Sequence, residues 1–203
     1  MELNLEGKVA LITGASKGIG KSIKEELERE GVKVHDISRS NDYDILNRMD
    51  RLRIKDLLDK SDIFINNAGG IGSDPKEWKL AMHKNYVMMA ELVNHYLKTP
   101  RNWGRVITIS SIYGKEKGHN PGFTAAKSAQ IAYMKCLAGT YEGITFNTIC
   151  PGHIDVGKPF IDKPKVIGKP NDISPLVAFL CSDKASHING ACINIDGGNS
   201  YSF

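Results

Sequence analysis

The sequence predicts an α/β fold, a single domain in which one parallel sheet is wound by helices on both faces. Three observations predict it. Six short apolar runs rich in Val and Ile recur along the chain. They mostly lack strict alternation, as expected where both faces of a sheet are covered. Amphipathic stretches of helical period separate them, the βαβ rhythm of a doubly wound sheet. The 203 residues suffice for one full core and are too few for two comfortable ones.

The expected strands are residues 9–13, 32–37, 63–66, 106–110, 144–150 and 192–195. The expected helices are 19–30, 46–58, 76–97, 124–138 and 173–180, with Asn171-Asp172 as the N-terminal cap of the last. The loosest stretch is 151–170, with four prolines and three glycines. A loop of that length in a compact domain is usually functional or mobile.

Composition excludes several classes. Hydrophobic content of 41% and charged content of 25% describe an ordinary soluble protein. The net charge is +4, but the bases are interleaved with acids, so no nucleic-acid stripe is present. No apolar run approaches the roughly 20 residues of a membrane span. The first eleven residues lack a signal-peptide pattern, so the cytoplasm is the expected compartment. Cys136, Cys150, Cys181 and Cys192 have neither metal-ligand nor redox-motif spacing, and each sits among apolar neighbours. They are expected to be buried free thiols.

The first strand runs into Thr13-Gly14-Ala15-Ser16-Lys17-Gly18-Ile19-Gly20, which opens the first helix. Glycine lets a backbone turn sharply and lie against a pyrophosphate, and the helix N-terminus offers free N–H groups to phosphates. A carboxylate at the end of the second strand would bind the ribose of NAD, whereas a base would accommodate the 2′-phosphate of NADP. Ser38 and Arg39 stand there, with Lys17 nearby, which favours NADP over NAD; Asp36, two residues earlier, complicates that choice.

Four further segments follow in order: Asn66-Asn67-Ala68-Gly69, Ser110-Ser111, Phe123-Thr124-Ala125-Ala126-Lys127 and Asn147-Thr148-Ile149-Cys150-Pro151-Gly152. With the glycine turn, they resemble the short-chain dehydrogenase/reductase family from about Glu6 to Gly198. The resemblance implies a Rossmann-type doubly wound parallel sheet of three α/β/α layers, binding NAD(P)(H) and a small-molecule substrate. It places Gly14, Ser16, Lys17, Gly18, Ile19, Gly20, Ser38 and Arg39 at the cofactor. Asp44 and Ile45 match an adenine-contacting step after a third strand. Asn67, Ala68 and Gly69 match the cofactor-lining end of a fourth. Pro151, Gly152 and Ile154 fall under the nicotinamide, although Asp155-Val156 stands where the family often has threonine.

The same resemblance assigns catalytic positions. Ser111 matches the substrate-orienting hydroxyl, and Lys127 the lysine that binds the nicotinamide ribose. Asn85 matches the asparagine that holds a water beside that lysine. An asparagine inside a helix is otherwise poorly placed unless its side chain has work. The family expects a tyrosine four residues before the lysine, as proton donor. Here Phe123 stands there, twelve positions after Ser111, and a phenyl ring donates no proton. Three readings stay open: an engineered inactivating substitution, a natural variant in which another group acts, or a chain that kept the fold and lost the chemistry. Tyr113 is the best substitute donor, ahead of His119 and His153.

Two expectations complete the reading. The substrate lid at 157–167 is short, which suits a bulky substrate such as a sugar nucleotide or a carrier-linked group. Helices 76–97 and 124–138 carry Met82, Met88, Met89, Leu92, Ile131, Tyr133, Met134 and Leu137, more than one sheet-facing stripe. That excess predicts a homodimer or homotetramer. The expected function is NAD(P)(H)-dependent oxidoreduction of a carbonyl/alcohol pair. Its alternative is a non-catalytic dinucleotide-binding sensor or partner subunit.

Overall fold

Strand β1 (Val9–Thr13) lies at the centre of the first half of the chain, with β2 (Lys33–Ile37) on one side and β3 (Ile63–Asn66) on the other. The computed structural model describes residues 2–70, 74, 76–157, 159–160 and 164–201. β4 (Gly104–Ile109), β5 (Ile144–Pro151) and β6 (Cys192–Ile195) extend the sheet in the order β2-β1-β3-β4-β5-β6, every pair parallel. The order reverses between β1 and β3, and ligands of doubly wound sheets bind outside the strand carboxyl ends at such a reversal.

Helices cover both faces. α1 (Gly18–Arg29) and α6 (Ser174–Cys181) pack on one, where Ala10, Ile12, Ile23, Leu27, Val177 and Leu180 are buried together. α2 (Arg48–Leu58), α4 (Met88–Tyr96) and α5 (Pro121–Leu137) pack on the other, around Leu11, Ile54, Phe64, Leu92, Met134 and Phe146. Alternation along β1 sends Ala10 and Ile12 to the first core and Leu11 to the second. β3, β4 and β5 are buried along their whole length, which explains their near-continuous apolar sequence.

Several boundaries differ from expectation, each for a local reason. α2 starts at Arg48 because the Asn47 side chain accepts from the N–H groups of Met49 (2.8 Å) and Asp50 (3.3 Å). α5 starts three residues early, at Pro121, because Asn120 Oδ1 accepts from Phe123 N at 3.0 Å. Asn171 and Asp172 do not cap α6. They form a short 3₁₀ turn, where Asp172 accepts from Lys169 N and Asn171 accepts from the Ser22 hydroxyl. The long helix expected at 76–97 is α3 (Trp78–Met82) and α4 joined by a π turn, His83–Val87. No further strand lies between β2 and Asp44, so the strand that ends at Asn66 is the third of this sheet, not the fourth. Cys136 is exposed and Cys192 half-buried, contrary to the expectation that all four thiols are buried.

Met88, Met89, Leu92 and Met134 are covered by the chain's own core. The apolar residues exposed on α3 and the π turn are Trp78, Leu80 and Val87. Among the described residues no helix is long and apolar enough to cross a membrane, and no cluster of ligands could hold a metal. The short lid lies partly outside the described residues, at Lys158 and 161–163.

Candidate active site

The carboxyl ends of β1 and β3 are tied together by side chains. Thr13 Oγ1 accepts from the N–H groups of Asn67 (3.0 Å) and Ala68 (2.9 Å). Asn67 Nδ2 returns hydrogen bonds to the carbonyls of Thr13 and Gly14, both at 3.0 Å. Gly14 N donates to Ile37 O at 2.7 Å, which adds the end of β2. The turn therefore closes on three strands. Gly14 has φ +73°, a left-handed conformation that favours glycine. A Cβ at Gly20 would stand 2.3 Å from Gly14 O and 2.5 Å from Asn67 Nδ2, so only glycine fits the first turn of α1.

A cleft of about 500 Å³ opens at this edge. Its lining contains Gly14, Ser16, Lys17, Gly18, Ile19, Gly20, Ser38, Arg39, Asp44, Ile45, Asn67, Ala68 and Gly69, all expected from sequence. It also contains Ser40, Tyr43, Leu46, Lys84 and Val156, which sequence reasoning missed. Lys84 is legible only once Asn85 is placed, and Ser40 only as the hydroxyl that meets Ser38 Oγ at 3.0 Å. Asp36 does not line the cleft; its carboxylate turns to Lys24 at 3.6 Å. The rim at the end of β2 is thus hydroxyl and cationic. The close-fitting glycine turn, helix N-terminus and basic rim suit a phosphorylated dinucleotide.

Ser111, Tyr113, Phe123, Lys127, Pro151, Gly152 and Ile154 do not line this cleft. Gly69 joins the two regions. A Cβ there would stand 2.5 Å from Asn85 Oδ1 and 3.8 Å from Lys127 Nζ. Asn85 is fully buried in the π turn, a distortion frequent at functional sites. Its side chain accepts from Gly70 N (3.0 Å) and donates to Gly70 O (3.1 Å) and Ala81 O (2.8 Å). Its backbone carbonyl accepts from Gln130 Nε2 at 2.7 Å. Asn85 therefore clamps the strand-end loop to the helical run.

Lys127 is 5% exposed, and its Nζ donates to Ile109 O at 2.8 Å. Burial pushes its ammonium down to a pKa of about 8. The Phe123 ring lies one turn earlier on α5, its centroid 5.5 Å from that Nζ. Ser110 Oγ donates to Lys127 O at 2.9 Å, docking α5 on the end of β4. Ser111 Oγ accepts from Tyr113 N at 3.2 Å and so starts the 3₁₀ turn Ile112–Gly114. Tyr113 Oη meets His153 Nε2 at 3.1 Å, and its ring stands edge-on to both His119 and His153. His153 Nδ1 is buried with no partner among the described residues. Ile154 pairs with Gly168, closing the base of the long loop.

The model of the short chain dehydrogenase family matches residues 48–159, more than half of the chain. The chain belongs to that family. Its relatives include 3-oxoacyl-(acyl-carrier-protein) reductase FabG of Escherichia coli K12, 31% identical over 240 aligned positions, covering 97% of this chain and 98% of the relative. The acetoacetyl-CoA reductase of Shinella zoogloeoides is 30% identical, covering 94% and 98%. Ligand-free aldohexose dehydrogenase of Thermoplasma acidophilum superposes with a TM-score of 0.86 at 26% identity, covering 100% and 98%. BdcA in complex with NADPH, at 24% identity and a TM-score of 0.85, shares the fold. The family therefore accounts for the sheet order and for the glycine turn on one edge.

Proposed function

We propose that this chain is an NADP(H)-dependent oxidoreductase that moves hydride to or from a carbonyl/alcohol pair. The observation that carries the cofactor preference is the rim of the cleft. Lys17, Ser38, Arg39 and Ser40 line it, while the one carboxylate of β2, Asp36, pairs with Lys24. Cations and hydroxyls there would bind a 2′-phosphate, leaving NAD the weaker ligand. Asp44 and Ile45 would face the adenine. Pro151, Gly152 and Ile154 would support the nicotinamide, which supplies or accepts the hydride when bound.

The chain's own residues do the rest. Ser111 orients the substrate oxygen, Lys127 binds the nicotinamide ribose, and Asn85 fixes the loop beside that lysine. Phe123 marks the altered donor position. Tyr113 donates the proton during reduction: its O–H bond breaks as the substrate oxygen gains the hydrogen, His153 Nε2 holds the phenol oxygen in place, and the phenolate regains a proton from solvent. Oxidation runs the same transfers backwards. The Tyr113–His153 hydrogen bond and the position of Tyr113 beside Ser111 support this assignment.

Phe123 also favours a second reading, cofactor binding without turnover. Fluorescence titration with NADPH and NADH, followed by turnover assays on Phe123→Tyr, separates the readings. Tight NADPH binding with activity in the native chain supports the variant enzyme. A large gain in Phe123→Tyr marks an enzyme silenced at that position, and binding with no turnover in either chain marks a sensor or partner subunit. If neither cofactor binds, the oxidoreductase reading falls.

A bulky or sugar-type substrate is the best fit to the short lid. The names of the carrier- and coenzyme-linked relatives, and of the aldohexose dehydrogenase, support it. A substrate complex with a fully enclosed small molecule would overturn it. Exposed Trp78, Leu80 and Val87 support a homodimer or homotetramer; a monomer by light scattering would refute that.

A further inference from the structure

Cys150 and Cys192 are 42 residues apart in sequence, yet their sulfurs lie 3.4 Å apart. Register explains the meeting. On the parallel pair β5–β6, Cys150 stands opposite Asn194 and Cys192 opposite Thr148. An offset of two residues, in a strand of period two, puts both thiols on one face of the sheet. The sulfurs must close by about 1.4 Å, and because diagonal neighbours on adjacent strands stand about 7–8 Å apart, the bond also requires a shift of the backbone. Cys192 opens the edge strand β6, which is half-buried along its length and can shift more readily than the covered β5.

We infer that Cys150 and Cys192 form a peroxide-responsive dithiol, with half-exposed Cys192 as the attacking thiol and buried Cys150 as the resolving one. The asymmetry of the two sites supports these roles. Cys192 is reachable from solvent, whereas Cys150 has no exposed surface. The two sulfurs are within hydrogen-bonding distance of each other, and the ammonium groups of Lys115 and Lys135 stand near enough to favour a Cys192 thiolate. Lys115 is held in place by Asn194 Oδ1 at 3.0 Å, and Lys135 by Gly190 O at 3.0 Å. The contact with Cys150, and then the two ammonium groups, pull the Cys192 thiol below its ordinary value, while the same contact and burial raise that of Cys150.

The chemistry balances with hydrogen peroxide as oxidant. The Cys192 thiolate attacks one peroxide oxygen, the O–O bond breaks, and the departing hydroxide takes a proton to become water. Cys192 is then a sulfenic acid. Cys150 sulfur attacks that sulfur, the S–O bond breaks, and the thiol proton leaves with the oxygen as a second water. Two thiols are oxidised by two electrons and one peroxide is reduced. Cys150 directly precedes Pro151-Gly152 at the end of β5, whose neighbour β4 leads into Ser111. The cross-link therefore ties β6 to the strand end beside Ser111.

The test is peptide mapping of the native chain after brief treatment with hydrogen peroxide, with free thiols alkylated before digestion. The expected result is loss of two hydrogens in the intact mass and one linked peptide pair containing Cys150 and Cys192, reversed by dithiothreitol. Cys136 and Cys181 remain alkylatable or simply reduced; burial pushes the Cys181 thiol up to about 12. Cys150→Ala should leave a sulfenic acid on Cys192 that dimedone traps, and Cys192→Ala should leave Cys150 reduced. Two free thiols after treatment of the native chain, or Cys192 carried on to sulfinic acid while Cys150 stays reduced, would overturn the inference. Neither readout depends on cofactor binding or turnover.

Discussion

The proposed cofactor edge and the proposed reactive end of this molecule are built on different principles. At the edge of β1, β2 and β3, position is held by backbone geometry and by reciprocal bonds among Thr13, Gly14 and Asn67. A substitution there collides with main chain. At the reactive end, position is held by single side chains on separate elements: Ser111 after β4, Lys127 on α5 and Asn85 in the π turn. Phe123 shows the consequence. A phenyl ring fits beside Lys127 with no main-chain cost, so binding and chemistry can diverge within one domain.

The sharpest way to break that comparison is Tyr113→Phe. It should lower kcat by about 10²- to 10⁴-fold, the worth of a positioned acid, while leaving NADPH affinity unchanged. Steady-state kinetics beside a binding titration checks it. Equal activity in the variant would remove Tyr113 from the chemistry.

Lys127 should give the next largest effect, in stability. Its pKa is about 8 in the folded chain against 10.5 for the free side chain. The unfolded chain therefore binds more protons between those values, and stability rises with pH across that window. At pH 7 both states are protonated and the full cost of the buried cation applies, about 3 kcal/mol. Lys127→Met should be more stable than the native chain at pH 7, by up to that amount. The advantage should fade as pH rises from about 8 towards 10.5. Denaturant unfolding of both chains across this range tests it; a constant difference would contradict the assignment.

Arg39→Ala should sharpen the comparison at the other end. Loss of a charge-assisted phosphate contact costs about 1.5–3 kcal/mol, roughly 10- to 100-fold in NADPH affinity. NADH affinity should hold. Equal losses for both cofactors would mean that Arg39 does not read the 2′-phosphate.

The smallest effect serves as a control. Asn47→Ala removes the cap of α2, next to Leu46 of the cleft wall but with its own side chain outside the lining, and should cost about 1 kcal/mol of stability with cofactor affinity intact. A change in binding would show that the cofactor edge leans on α2 as well.

Local chemistry explains how much was legible beforehand. The glycine turn, the strand-end asparagines and Lys127 were readable because glycine conformation and strand-helix spacing act over a few residues. The helix starts at Arg48 and Pro121 were also written locally, in Asn47 and Asn120, but apolar periodicity drew attention past them. The π turn was invisible, since its hydrogen bonds run from Asn85 to Gly70 and Gln130, which are distant in sequence. The third strand that the family resemblance set before Asp44 does not form. That segment instead takes a 3₁₀ turn at Arg39–Asn41 and caps itself through Asp44 and Asp50.

By itself the sequence determined the layered α/β architecture, the parallel sheet, the glycine turn at its edge and the absence of a phenol at residue 123. Those follow from periodicity, from glycine and from side-chain identity, which act locally. Tertiary structure alone decided that Asp36 turns away from the cleft, that Tyr113 meets His153, and that Cys150 meets Cys192. Each depends on the register and facing of elements far apart in the chain, and a parallel sheet sets both only when its crossovers are packed.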